Sequence, residues 1–523
     1  MAQGRPEETF DGVRAALFSQ LISSVAEEMG EALRRSAFSP NVKERCDYSC
    51  AVFLGDGEMA AQAAHIPVHL GSAPLSVAAV LEEMTLEPGD EVILNDPFRG
   101  GTHLPDVTLV RPVFLSGGKQ PDFLVANRAH HADIGGSAPG SMGISRDIHG
   151  EGFRIPPVRL ARNGELIGDI VKLFRAQVRQ PDEREGDLRA QRAANHVGVQ
   201  RLTELAREHG LSALRKGAAA LPRATARAMA SLLGELPRGT WCFEDFLDGD
   251  GLGSGRLPIR VRIDLGGGRA RVDFSGSAAQ VLGPVNANMA ITVSAVAYVF
   301  CCLLDTHVPK NGGVLDCIDL VAPPGSIVNA GAPAAVAGGN VETSQRIVDV
   351  LFGALARAAP DRIPAASAGT MTNVSLGGAG FTYYETIAGG AGASPSAPGE
   401  AAVQTHMTNT LNTPIEMLEA AYPLRVTRYA VRRRSGGRGA RMGGDGIERH
   451  LRALEGMTAT ILADRQSQGP YGLSGGLAGR PGRTYLGKRL LPAKHTLELE
   501  PGDTLILKTP GGGGHGRPGK DSR

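Results

Sequence analysis

A chain of 523 residues, 42% hydrophobic and 21% charged, is long enough for two to four structural units around sizeable cores. Its 55 lysines and arginines nearly cancel its 54 aspartates and glutamates, leaving a formal charge of +1, which excludes the electrostatic footprint of a nucleic-acid or anionic-membrane binder. Glycine, at 70 residues beside 33 prolines, runs at about twice its usual share and predicts many tight turns around short elements. Only 5% of residues are aromatic and Trp241 is the one tryptophan, which argues against a sugar-stacking surface.

The opening MAQGRPEETF lacks the cationic head and apolar run of a signal peptide. No stretch of 18 apolar residues free of charge occurs. Cys46, Cys50, Cys242, Cys301, Cys302 and Cys317 contain no CxxC pair and are too sparse for a disulfide framework. The expectation is a soluble, cytoplasmic protein with buried free thiols.

In chain order, Val13, Leu17, Leu21, Val25, Met29 and Leu33 recur every four residues and predict an amphipathic helix over about 10–38, closed by Ser39-Pro40-Asn41. Short apolar runs bounded by Gly, Pro or Asp then predict strands at 50–54, 91–94, 107–114 and 123–127. Residues 182–233 return to a helical pattern with a charged outer face. A hairpin follows, with strands at 257–265 and 269–274 around Gly266-Gly267-Gly268. Residues 291–304 form an apolar segment too short to span a membrane, and strands with turns fill the rest beyond Tyr422.

The fold class expected is mixed α/β (α+β): a multi-lobed single chain with a long N-terminal helix and a β-rich C-terminal module. The divisions are an N-terminal α/β lobe at 1–180 carrying a metal site, a helical segment at 181–238, a central α/β lobe at 239–425, a β-rich module at 426–516 and a tail at 517–523.

A phosphate-binding loop is not apparent. In the string GHGRPGKD at 514–521, Asp521 stands where a hydroxyl residue is needed and Pro518 interrupts the loop. Gly511, Gly513 and Gly516 match GxGxxG without a surrounding βαβ pattern, so 509–516 reads as a glycine-rich turn after the last strand. A GxSxG nucleophile elbow is also missing.

The densest polar group lies between residues 95 and 151. NDPFRGGTHLPD (95–106) leads into one predicted strand, and a second strand delivers RAHHADIGG (128–136). Neighbouring strands would bring His103, Asp106 and one of His130 or His131 together. Two imidazoles and a carboxylate suit a divalent Mn, Fe or Zn ion with open positions for water or a carbonyl. Asp133 would be a fourth ligand or would orient a histidine. His65 and His69, separated by Ile66-Pro67-Val68, read as packing residues.

NDPFRGGTHLPDVTLVRPVF, HHADIGG and PGSM resemble the signature of the hydantoinase B / 5-oxoprolinase B-subunit family, which also includes the large subunit of acetone carboxylase. The resemblance continues through SPNVKERCDYSCA, HIPVHLGS, DLRAQRAAN, DFSGSAAQVLGPVNA, AGGNVETSQR, YYETIAGGAGA, THMTNT and KTPGGGGHG, in order over nearly the whole chain. Departures are local: Thr372 replaces a usual Asn and Leu411 a common Arg.

The resemblance implies a division of labour. ATP would bind an A-type ATPase subunit, and this chain would open a cyclic amide, such as a hydantoin, 5-oxoproline or a related lactam, with a metal-activated water. The catalytic residues would be Asp106, His131 and Asp133, with metal ligands from His103, Asp106, His130 and His131. The alternatives are the large subunit of an ATP-dependent ketone carboxylase, or a scaffold for the A-type partner.

Overall fold

The computed structural model describes residues 12–63, 65–69 and 71–519. The first layer is a seven-stranded antiparallel sheet made of β1 (Tyr48–Leu54), β2 (Met59–Gln62), β3 (Glu91–Leu94), β4 (Asp106–Val113), β5 (Phe123–His130), β6 (Val158–Arg162) and β7 (Glu165–Leu166). Its order is β2-β1-β5-β4-β3-β6-β7. Strand β5 is buried along its whole length, as a central strand covered on both faces must be.

One cover is helical: α1 (Gly12–Ser36) and α5 (Pro181–His209), with α6 (Leu211–Glu235) beside them. Phe10 of the predicted first helix lies outside the described residues, as does the Val13 side chain. The buried face of α1 is Phe18, Ile22, Val25, Ala26, Met29 and Leu33, while Leu17 is 48% exposed. A strict four-residue repeat drifts around a helix of 3.6 residues per turn, so the predicted stripe leaves the core at its N-terminal end. Gly198 allows α5 to approach both α1 and the sheet: a Cβ there would meet Met29 Sδ of α1 at 2.6 Å and Val125 Cγ1 of β5 at 3.0 Å.

On the other side, α3 (Ala73–Glu83) leans on β4 and β5. The short α2 (Pro40–Lys43) and α4 (Gly168–Gln177) close the ends of the layer. The second sheet orders β11 (Ile318–Val321), β10 (Arg269–Asp273), β9 (Leu257–Gly266) and β8 (Gly239–Leu247). The predicted hairpin is β9–β10. Alternate residues of β9 turn inward onto α8 (Ser344–Leu355), which packs with α7 (Met289–Cys301).

The remaining strands are β12 (Asn373–Gly378), β13 (Phe381–Thr386), β14 (Leu424–Arg432), β15 (Gly446–Ala453), β16 (Met457–Leu462), β17 (Arg483–Leu486), β18 (Arg489–Leu491), β19 (Lys494–Leu499) and β20 (Thr504–Lys508). They form sheets β13-β12-β16-β19 and β14-β15-β20-β17-β18, which share one core. The architecture is therefore mixed α and β, with a long N-terminal helix and a β-rich C-terminal region.

Residues 511–514 depart from the expected turn. They are buried, and a Cβ on Gly512 would lie 1.9 Å from Ala391 O and one on Gly513 2.0 Å from Tyr471 O. Gly512 N donates to Gly444 O and Gly513 N to Ala366 O. Glycine is needed here because backbone packs directly on backbone. All six cysteines are free, with Cys242 and Cys302 exposed rather than buried. Among the described residues no helix is long and apolar enough to cross a membrane.

Candidate metal centre

The register of β4 and β5 assembles the site. Asp106 opens β4 and pairs with His130, which ends β5, so their side chains emerge side by side on one face. The loop before β4 is tied down by Asn95, whose Nδ2 donates to Leu104 O at 2.8 Å while its Oδ1 accepts from Ile155 N at 2.7 Å. The turn places His103 over the same face, with Asp106 N donating to His103 O.

The three side chains converge. His103 Nε2 lies 3.1 Å from Asp106 Oδ1, His130 Nδ1 lies 3.2 Å from the same oxygen, and the two nitrogens are 3.2 Å apart. All three residues are buried. Atoms bound at about 2.1 Å to one cation sit roughly 3.0–3.4 Å from each other, so these spacings match the edges of a coordination polyhedron. The N, N, O donor set suits a divalent transition metal.

The surroundings hold the donors in place. Thr102 Oγ1 donates to Asp106 Oδ2 at 2.5 Å. His69 brings Nε2 to 3.4 Å from that oxygen, and its Nδ1 is 2.8 Å from Ser49 Oγ. The His130 ring stacks on Tyr384, with centroids 4.6 Å apart. Burial raises the Asp106 carboxyl, but the facing His103 and His69 imidazoles, with hydrogen bonds from His103 and His130, hold it well below the usual carboxylate range. Burial pushes the His130 imidazole down, towards the neutral form a metal requires.

A small cavity of about 20 Å³ borders the cluster, lined by Asp47, His69, Asp106, His130, Asn340 and Tyr384 among others. That is room for about one water. Thr408 lines this cavity and also an adjoining cleft of about 470 Å³.

Two sequence-derived assignments are corrected. His131 faces away from the cluster: its Nε2 lies 2.9 Å from Gln191 Oε1 on α5, and its ring meets Phe174 edge-on. Consecutive residues leaving a strand point to opposite faces, so His130 and His131 cannot both reach Asp106. Asp133 closes its own loop, accepting from Gly135 N, Gly140 N and Arg179. It neither joins the donors nor orients a histidine.

His69, expected to pack, instead touches Asp106. His65 does pack, edge-on to Tyr48 with Nδ1 accepting from Cys50 N. Nothing in the local string distinguishes the two, because the 3₁₀ turn Pro67–His69 sets their directions. Asn340 and Tyr384, more than 200 residues downstream of the donors, carry no sequence signal that links them to the site.

Fold and site together define a two-histidine, one-carboxylate centre on the face of an antiparallel sheet, buried beneath a second α/β layer. The chain belongs to the Hydantoinase B/oxoprolinase family, whose profile matches residues 11–518.

An uncharacterized protein of Methanocaldococcus jannaschii is 40% identical, over 97% of this chain and 91% of its own length. A 5-oxoprolinase of Dictyostelium discoideum is 38% identical over 98% of this chain, which spans only 41% of that protein. The B-type subunit of a putative D-/L-hydantoinase from a Pseudomonas species is 30% identical, over 95% of this chain and 88% of that one.

Among solved structures, the ATP-dependent caprolactamase of Pseudomonas jessenii superposes with a TM-score of 0.89 at 28% identity, covering 98% of this chain and 92% of that one. Acetone carboxylase superposes with a TM-score of 0.87 at 18% identity, covering 97% and 76%, a likeness of fold.

Proposed function

We propose that this chain is the B-type subunit of an ATP-dependent amidohydrolase that opens a cyclic amide, such as a hydantoin, 5-oxoproline or a related lactam. ATP is bound and spent by an A-type ATPase partner. The observation that carries this reading is the convergence of His103, Asp106 and His130 at ligand-edge spacing beside the small cavity. The relatives support it: the chain corresponds to two fifths of a 5-oxoprolinase and to most of a hydantoinase B-type subunit, and the superposed caprolactamase is ATP-dependent.

Residues His103, Asp106 and His130 hold the divalent ion, which when bound supplies Lewis acidity for a water or a carbonyl oxygen. The chain's own residues do the rest. Asp106 offers Oδ1 inward because Thr102 and His69 engage Oδ2. Tyr384 fixes the plane of the His130 ring by stacking, and Asn373 Oδ1 in turn accepts from the Tyr384 hydroxyl at 2.8 Å. The apolar walls Ile66, Val68, Val341, Met371 and Met407 keep bulk water from the donors. The cleft beyond Thr408 gives a ring substrate its approach.

The test is co-expression with an A-type partner, followed by metal analysis and a screen of hydantoins, 5-oxoproline and lactams with and without ATP. Ring opening that requires ATP, metal and both chains is expected. A metal-loaded complex that opens none of these rings would overturn the reading.

A further inference from the structure

We infer that the ring this chain accepts carries no charge: a hydantoin or a simple lactam, and not a ring bearing a carboxylate such as 5-oxoproline. The inference rests on the ring-opening reading above and takes the charge of the substrate from the cleft through which it enters.

Sixteen residues line the cleft beyond Thr408, and none of them is a lysine or an arginine. Its one ionised side chain is Glu400, which is exposed. His406 adds no charge, because burial pushes its imidazole down towards the neutral form. The inner cavity keeps the same sign: Asp47 and Asp106 are its carboxylates, and again no lysine or arginine lines it.

Two buried guanidinium groups stand behind the cavity wall, and both are committed there. Arg45 donates to Asn41 Oδ1, Tyr384 O and Thr386 Oγ1, and lies 3.8 Å from Asp47. Arg128 donates to the hydroxyls of Thr108, Ser72 and Ser76. Lys310 belongs to a neighbouring cleft, which meets this one at Pro67, Tyr298 and Asn409.

A ring carboxylate, with a free pKa of about 3.5, is ionised at neutral pH. In this cleft it would shed water without an opposing cation, and it would face first Glu400 and then Asp47. Drawn to the divalent ion, it would take the open position that the ring amide needs. An uncharged amide ring asks only for neutral partners. Ser367, Gln404, Thr405 and Thr408 offer hydroxyl and amide groups along the same walls, in a cleft of about 470 Å³.

Matched rings isolate the charge. 5-oxoproline, its neutral amide and pyrrolidinone share one lactam ring, and hydantoin with its carboxymethyl derivative makes a second set. ATP-dependent opening of each is measured with the metal-loaded complex of this chain and its A-type partner, in wild type and in Glu400→Lys.

The neutral members should exceed the anionic one by at least about a hundredfold in kcat/KM. Glu400→Lys should raise the ratio of 5-oxoproline to pyrrolidinone by at least about threefold at low salt, and by less at high salt. Opening of 5-oxoproline as fast as its amide overturns the inference. So does a preference that Glu400→Lys leaves unmoved, because the charge filter would then lie on the partner. If no ring opens at all, the amidohydrolase reading fails and this inference falls with it, an outcome distinct from the other two.

Discussion

Two of the buried clusters of ionisable side chains among the described residues differ in how their charges close. Between the second and third sheets, Arg346, Arg465 and Lys494 meet Asp245, Asp349 and Asp464. Arg346 bonds Asp349 and Asp464 at 2.8 Å, Arg465 reaches Asp245 and Asp349 at 2.5 Å, and Lys494 bonds Asp464 at 2.7 Å. Cations and carboxylates alternate, so every close approach is attractive. Around Asp106, one carboxylate faces His69, His103 and His130, and two imidazole nitrogens confront each other at 3.2 Å. Equal burial thus accompanies two designs. The first cluster neutralises itself and ties α8 to the strands that follow, whereas the second converges lone pairs on a point that a cation would complete.

The largest contrast should come from removing the central carboxylate of each. Asp106→Ala is expected to empty the chain of metal and to lower ATP-dependent turnover by more than about a hundredfold. Its denaturant midpoint, measured with both proteins stripped, should change far less. Full metal content by elemental analysis, with normal turnover, would remove Asp106 from the site.

Asp464→Ala should do the reverse. It leaves Lys494 buried without its carboxylate and takes from Arg346 one of its three, Asp245 and Asp349 remaining, at a cost of about 3–5 kcal/mol in urea unfolding. Metal affinity of the folded fraction should stay at the wild-type value. Loss of metal without loss of stability would merge the two clusters into one functional unit.

Acid should separate the regions again. Burial holds the His131 and His65 imidazoles down to about 4, whereas unfolded imidazoles titrate near 6.5. Between those values the unfolded chain binds more protons, so stability falls as pH drops through about 6.5 towards 4. Burial raises the Asp464 carboxyl, but Lys494 and Arg346 bring it down to about 2, so its contribution is present above the unfolded carboxylate range and is lost only as pH falls towards that value. Urea unfolding at stepped pH should therefore show a first loss in the histidine window and a second in strong acid. A flat profile from pH 7 to 5 would contradict the assignment of neutral buried histidines.

The smallest effect concerns the histidine next to the site. His131→Asn should keep the metal and lose about 1–3 kcal/mol, because Gln191 on α5 is left with an unmet partner. Metal loss in this variant would show that the face opposite the cluster also governs it.

The pattern of apolar residues determined much of this protein on its own. The first helix, the β9–β10 hairpin, the buried α7 and the strand-rich C-terminal region follow from local periodicity and turn chemistry, which act over a few residues. His103 and Asp106 were legible because a three-residue spacing before a strand survives folding unchanged. Tertiary structure alone decided the rest. Strand alternation chose His130 over His131, and a 3₁₀ turn swung His69 to Asp106 while leaving His65 on Tyr48. A π-turn before α8 brought Asn340 to His103 across 237 residues of chain. The buried glycines at 511–514 needed three other backbone segments beside them before their lack of a Cβ had meaning. Local strings record which donors exist, but which of them share a point in space depends on pairing register and on the packing of distant layers.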